Sequence, residues 1–119
     1  MLKEIKTELA GVLAAAGIET FSYIPEIINP PSAIIFSGSP YLERQTFQDY
    51  TVRLEVYLLV RQGSNDVETD DLDAMLEVAI EAVEESDSFS LEEVSQPSML
   101  TINNTQLLQG GLTVTATVS

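Results

Sequence analysis

The sequence predicts an α+β fold, a single domain spanning residues 1–119 in which a mixed or antiparallel β-sheet carries two amphipathic helices packed on one face. Three observations carry this reading. Apolar residues recur at helical spacing near the N-terminus and again after residue 66. Between these stretches, every even position from 50 to 60 is apolar with polar residues between them as far as 55, and residues 112–118 alternate cleanly at the end of the chain. At 119 residues with 45% hydrophobic content, the chain is near the commonest domain size and can bury a core without disulfides or a structural metal.

The first helix places Leu2, Ile5, Leu9, Val12, Leu13 and Ala16 on one stripe, and Gly17 stands where a helix C′ residue ends it. "FSYI" (21–24) is a short strand stopped by Pro25. "NPP" at 29–31 forces extended or turn backbone, because proline fixes φ and restricts its predecessor. "AIIF" (33–36) reads as a brief strand buried on both faces, and "SGSP" (37–40) as turn chemistry. From Tyr50 to Val60 the even positions are apolar and the odd ones begin polar. Tyr57 and Leu59 make the far end apolar on both sides, which calls for a helix or a neighbouring chain to cover it. A second helix starts between Asp66 and Thr69, with Leu72, Leu76, Ala79, Ile80 and Val83 as its stripe, and ends near residue 87. Short strands are expected at 89–94 and 98–103 on either side of Pro97, with "TINNTQ" as a turn. Gly110 and Gly111 suggest a bulge or turn before the last strand, 112–118. The element order is α-β-β-β-α-β-β-β.

Composition removes several function classes. With no cysteine there is no thiol catalysis, thiolate metal site or disulfide framework. With no histidine, the commonest general base and transition-metal ligand is missing, so no Ser-His-Asp or Cys-His arrangement exists within the chain. The N-terminal stretch is interrupted by Glu4 and Glu8 and does not read as a signal peptide. No apolar run approaches the roughly 20 residues that span a bilayer. The expectation is a soluble protein made in a cytoplasm, with no membrane partner.

Charge is the outlying property: 19 acids against 5 bases, for a formal charge of −14. Such a chain is not suited to gripping nucleic-acid phosphates or anionic membranes. It suits a basic partner, a cation, or a surface that repels DNA. Between Asp66 and Asp87 lie ten acids and no base. An EF-hand frame would use Asp66, Glu68, Asp70 and Glu77, but Asp71 stands where the loop needs glycine, and the helical stripe has already begun. No metal or other cofactor is expected. Acids at 70, 71 and 73 in a first helical turn would each gain roughly 0.3–1 kcal/mol from the helix dipole. Glu81, Glu84, Glu85 and Asp87 are at the wrong end for that gain, so helix stability does not select them. Asp70 and Asp71, read as an acid–base pair, point in different directions on a helix, and no enzyme is expected. The candidate acidic surface is Asp70, Asp71, Asp73, Glu77, Glu81, Glu84 and Glu85. A second candidate surface, for contacts between copies or with a partner, combines Tyr41, Leu42, Arg44 and Phe47 in a loop or hairpin extension at 37–48 with Tyr57 and Leu59. A hairpin tip folded on its own domain explains the same residues.

Over nearly the whole chain, the helix "LKEIKTELAGVLAAAGI", the passage "YIPEIINPPSAIIF", the strand "FQDYTVRLEVYLLV", the helix "DDLDAMLEVAIEAVEE", then "SFSLEEVSQPSML" and the closing "QGGLTVTATV" follow one pattern. In order and length it resembles the tail terminator (tail completion) proteins of long-tailed bacteriophages. Head–tail connector and neck proteins of similar size share much of this pattern. The resemblance implies a homohexameric ring that caps the tail tube, stops its growth and docks the head connector. Its partners would be further copies of itself, the tail tube protein and a head–tail connector or neck protein. It implies localisation in the tail or neck of a virion made in the host cytoplasm, and no catalytic residues. Six copies of a −14 chain would present DNA with a channel wall that repels phosphate and lacks a base to hold it. An acidic mimic of DNA, occupying the groove of a basic nucleic-acid-binding protein, is the alternative from a different class. A small cytosolic ligand-binding or regulatory domain is a third.

Overall fold

The structure, a computed structural model, describes residues 2–46, 48–61 and 66–118, the side chains of 66–69 excepted. Helix α1 (Leu2–Ala15) is followed by strands β1 (Thr20–Phe21), β2 (Ser32–Arg44) and β3 (Tyr50–Arg61). Helix α2 (Asp66–Glu85) then leads into β4 (Ser90–Val94), β5 (Ser98–Ile102) and β6 (Thr105–Val118). The element order and α+β class are those read from the sequence.

The sheet runs β1-β2-β3-β6-β4, with β5 also on β6, beyond the end of β4. Only β1–β2 is parallel, so the sheet is mixed. Its centre is the long β3–β6 pair, in unbroken antiparallel register from Tyr50↔Val118 to Arg61↔Leu107. Alternation turns Val52, Leu54, Val56, Leu58 and Val60 of β3 to one face, where they join Leu112 and Val114 of β6. Leu9 and Leu13 of α1 and Leu72, Leu76, Ala79 and Val83 of α2 close over them, so both helices cover the same face. Each of these leucines and valines contributes about 1.5–3 kcal/mol by leaving water.

Helix α1 ends as its sequence dictates. Gly17 adopts φ 92°, its N–H donates to Ala14 O at 3.0 Å, and Ile18 N–H donates to Leu13 O at 3.1 Å. These two bonds form a Schellman cap, sealed by the buried Ile18.

The opposite face is divided. Toward one end it holds a second apolar cluster, in which Ile34, Leu59 and Leu107 are buried by Ile28, Phe36, Tyr57, Leu100 and Ile102. The apolar end of β3 is therefore covered by its own chain, through β5 and the segment before β2. Toward the other end the same face is polar, with Arg53, Glu55 and Thr115 half-buried.

Three expectations need correction. The strand expected at 21–24 is instead Thr20–Phe21, and Tyr23 and Ile24 lie outside it. Residues 37–40 are not a turn: with 41–44 they continue β2, which rejoins β3 at Leu42↔Val52 after an irregularity that sets residues 38–41 opposite Arg53. Gly110 and Gly111 neither bulge nor turn; they lie inside β6, paired with Leu58 and Tyr57. Gly110 is small because Leu76 and Leu72 press on it: a Cβ there would sit 3.2 Å from both Leu76 methyls. At this pair the outer flank of β6 changes from β5, whose first residue Ser98 pairs with Gln109, to β4, whose last residue Val94 pairs with Leu112.

Candidate functional site

The seven acids proposed as a surface, Asp70, Asp71, Asp73, Glu77, Glu81, Glu84 and Glu85, are all exposed along α2. The helix is held to the sheet by Leu72, Leu76, Ala79 and Val83, which leaves the acidic side facing solvent. No base interrupts it, and none lies in its last turn, where a cation would favour the dipole. Because α2 begins at Asp66, residues 70, 71 and 73 lie beyond its first turn, and the dipole gain expected of them largely disappears. Asp71 shares with Arg61 an open groove of about 560 Å³, lined also by Gly17, Ile18, Pro30 and Met75.

The second candidate surface is partly taken up by its own domain, with Leu42 and Arg44 left exposed. Tyr41 is half-buried against the main core, with Lys6 Nζ 5.2 Å above its ring. Arg44 stacks its guanidinium 4.8 Å from the Tyr50 ring, its partner across the hairpin, and Arg44 Nη2 donates to Tyr50 Oη. Leu42 is 38% exposed. Phe47 lies outside the described residues. Leu59 is fully buried and offers no surface to a partner, because Ile28, Leu100 and Ile102 cover that end of β3. Tyr57 is half-buried, its ring 4.9 Å from that of Phe36. Its hydroxyl donates to Glu55 Oε2 at 3.2 Å, and burial, with the Glu55 charge second, pushes the phenol above its ordinary value. The domain has overall extents of 50 × 27 × 23 Å.

Among the described residues no three acidic side chains converge at metal-binding spacing, and no helix is long and apolar enough to cross a membrane. The side chains of Asp66 and Glu68, which the calcium frame would need, lie outside the described residues. No family model matches the chain, and no curated protein matches it in sequence.

One surface was missed. The segment between β1 and β2 exposes Tyr23 (63%), Ile24 (52%) and Ile27 (74%). Periodicity could not find it, since the segment belongs to no helix or strand. The signal in the sequence was the charge-free run, residues 27–42, that begins within it.

Proposed function

We propose that this protein is a structural subunit of a phage tail, a ring-forming terminator that caps the tail tube, stops its growth and forms the joint to the head connector. The observation that carries the reading is the exposed face of α2, where seven acids stand without a base on a helix whose stability does not require them. Packaged DNA must cross such a joint without adhering, and a wall of carboxylates repels phosphate. A compact sheet-and-helix domain is a suitable ring segment, since a ring needs two different patches per subunit and rigid geometry between them. In this reading the protein is no enzyme and takes no cofactor. Its partners are its own copies, the tube protein and the neck.

The test is the mass and shape of the purified protein by light scattering and electron microscopy, with and without Mg²⁺. A divalent cation relieves the repulsion between like-charged copies. Rings with a central hole, at six times the 13.0 kDa chain mass, are the expected result. A monomer that binds a basic nuclease or repressor tightly at low salt, and loses it at high salt, would instead favour a DNA mimic.

A further inference from the structure

Charge on this chain is segregated as well as abundant. Residues 27–42 contain no acidic or basic side chain, and neither do residues 94–119. Folding brings these two stretches together: Ile28, Ile34 and Phe36 from the first meet Leu100, Ile102 and Leu107 from the second in one cluster. The segment before β2 is fastened to the β5–β6 turn by Asn103, whose Nδ2 donates to Pro25 O at 3.2 Å and Glu26 O at 3.1 Å. Asn103 and Asn104 themselves have positive φ (51° and 65°), the geometry of a tight two-residue hairpin turn. Tyr23, Ile24 and Ile27 are thereby held out to solvent by a braced turn, with Glu26 the one charge between residues 20 and 42.

Beside this ledge runs an unguarded sheet edge. Among the described residues β5 pairs only with β6, which leaves its outer backbone groups open. Proteins blunt such edges with charge, bulges or proline. Strand β4, on the same flank of β6, has Glu92, Glu93 and an irregularity between Leu91 and Glu93. Within β5, "SMLTI", none of these occurs, and Met99 is 50% exposed.

The charge pattern identifies the occupant. A basic partner would be met best by acids, which this chain has in excess and of which it places one, Glu26, on this surface. A contact nearly free of charge serves a partner of the same sign, for which every acid at the interface is repulsive. We infer that the 23–27 ledge and the open edge of β5 form a contact between copies of this chain, each supplying backbone and apolar side chains with Glu26 as the single acid. The inference goes beyond the ring reading, because it follows from where the charge is missing and places the contact away from the hairpin tip.

The experiment is sedimentation velocity on the full chain across a concentration series at low and at molar salt. Two surface variants, Ile27→Glu and Thr101→Lys, are compared with a control, Thr7→Glu, exposed on α1 and outside the contact. Circular dichroism and Tm monitor the fold. Wild type and control are expected to associate above the 13.0 kDa monomer, more strongly at molar salt, where screening removes the repulsion of the acidic helices. Each surface variant should remain folded and weaken association at least ~10-fold, about 1.4 kcal/mol. Amide exchange in β5 should slow as wild-type concentration rises. Surface variants that associate like wild type, or a wild type that stays monomeric throughout, overturn the contact. Wild-type hexamers that both variants leave intact would sink this contact and spare the ring. A two-fold dimer abolished by both would spare the contact and sink the ring. If Ile27→Glu fails to fold, Thr101→Lys and the β5 exchange decide.

Discussion

Arg53 Nε donates to Glu92 Oε2 at 2.9 Å, joining β3 to β4 across the intervening β6 on the face away from the helices. Both residues stand at irregularities. Arg53 is opposite residues 38–41, where β2 leaves its register, and Glu92 is the extra residue between the Leu91 and Glu93 pairings of β4. Arg53 also donates through Nη1 to Pro40 O at 3.3 Å. One side chain thus ties two departures from regular pairing to the centre of the sheet.

The two ends of this pair are unequal. Glu92 is 43% exposed and Arg53 17%, so the charge pair itself is well screened. Glu92→Gln is expected to cost less than about 1 kcal/mol. Arg53→Ala also removes the donor to Pro40 and the stem that packs under the irregularity, and should cost more, about 1–3 kcal/mol. Urea unfolding of both variants checks the order; equal losses would mean that only the ion pair matters.

Glycines separate crowding from conformation. A Cβ on Gly38 would sit 2.6 Å from Arg53 Cγ and 2.8 Å from the Arg53 carbonyl oxygen. The oxygen is backbone and cannot move aside, so Gly38→Ala should destabilise by about 1–3 kcal/mol. Gly11 is mid-helix, with nothing within 4 Å of where a methyl would stand, and Gly11→Ala should stabilise by about 0.5–1 kcal/mol. Thermal melts of the two variants should shift in opposite directions.

Tyr57 makes the fold sensitive to alkali. Its phenol is raised by burial and by Glu55, so the folded state holds this proton more tightly than the unfolded chain does. Its contribution is fully present below the ordinary tyrosine value, about 10, and is lost as pH rises through the higher folded value. Tm measured against pH should fall less steeply above pH ~10 in Tyr57→Phe than in wild type. Parallel curves would remove Tyr57 as the cause.

The acidic helix should be less stable than a mixed-charge one. Glu81 has Glu77 one turn before it and Glu84 and Glu85 one turn after, all exposed. Glu81→Lys replaces repulsion by attraction at these spacings and should raise stability by about 0.2–0.5 kcal/mol per pair, with the gain vanishing in molar salt. In the tail reading, reversing Glu77, Glu81, Glu84 and Glu85 to Lys together should slow DNA passage or block head–tail joining. Normal assembly and ejection by such particles would count against an acidic channel wall.

The parts of this architecture whose physics is local were legible in the order of the residues. Periods of 3.6 and 2 identified both helices, their buried stripes and the central strand, and Gly17 marked the end of α1 because a left-handed residue is needed there. The exposure of the seven α2 acids followed in the same way, from which side of the helix its leucines require. Features that depend on what lies across a gap in sequence emerged with folding. Gly110 and Gly111 looked like a break and are mid-strand, because Leu76 and Leu72 occupy the space a side chain would need at Gly110. The doubly apolar end of β3 looked like a surface for another chain, and is sealed by Ile28, Leu100 and Ile102. The ledge of Tyr23, Ile24 and Ile27 exists because Asn103, distant along the chain, holds it in place. Periodicity records which way a residue faces, whereas cover and crowding depend on neighbours that only folding brings together.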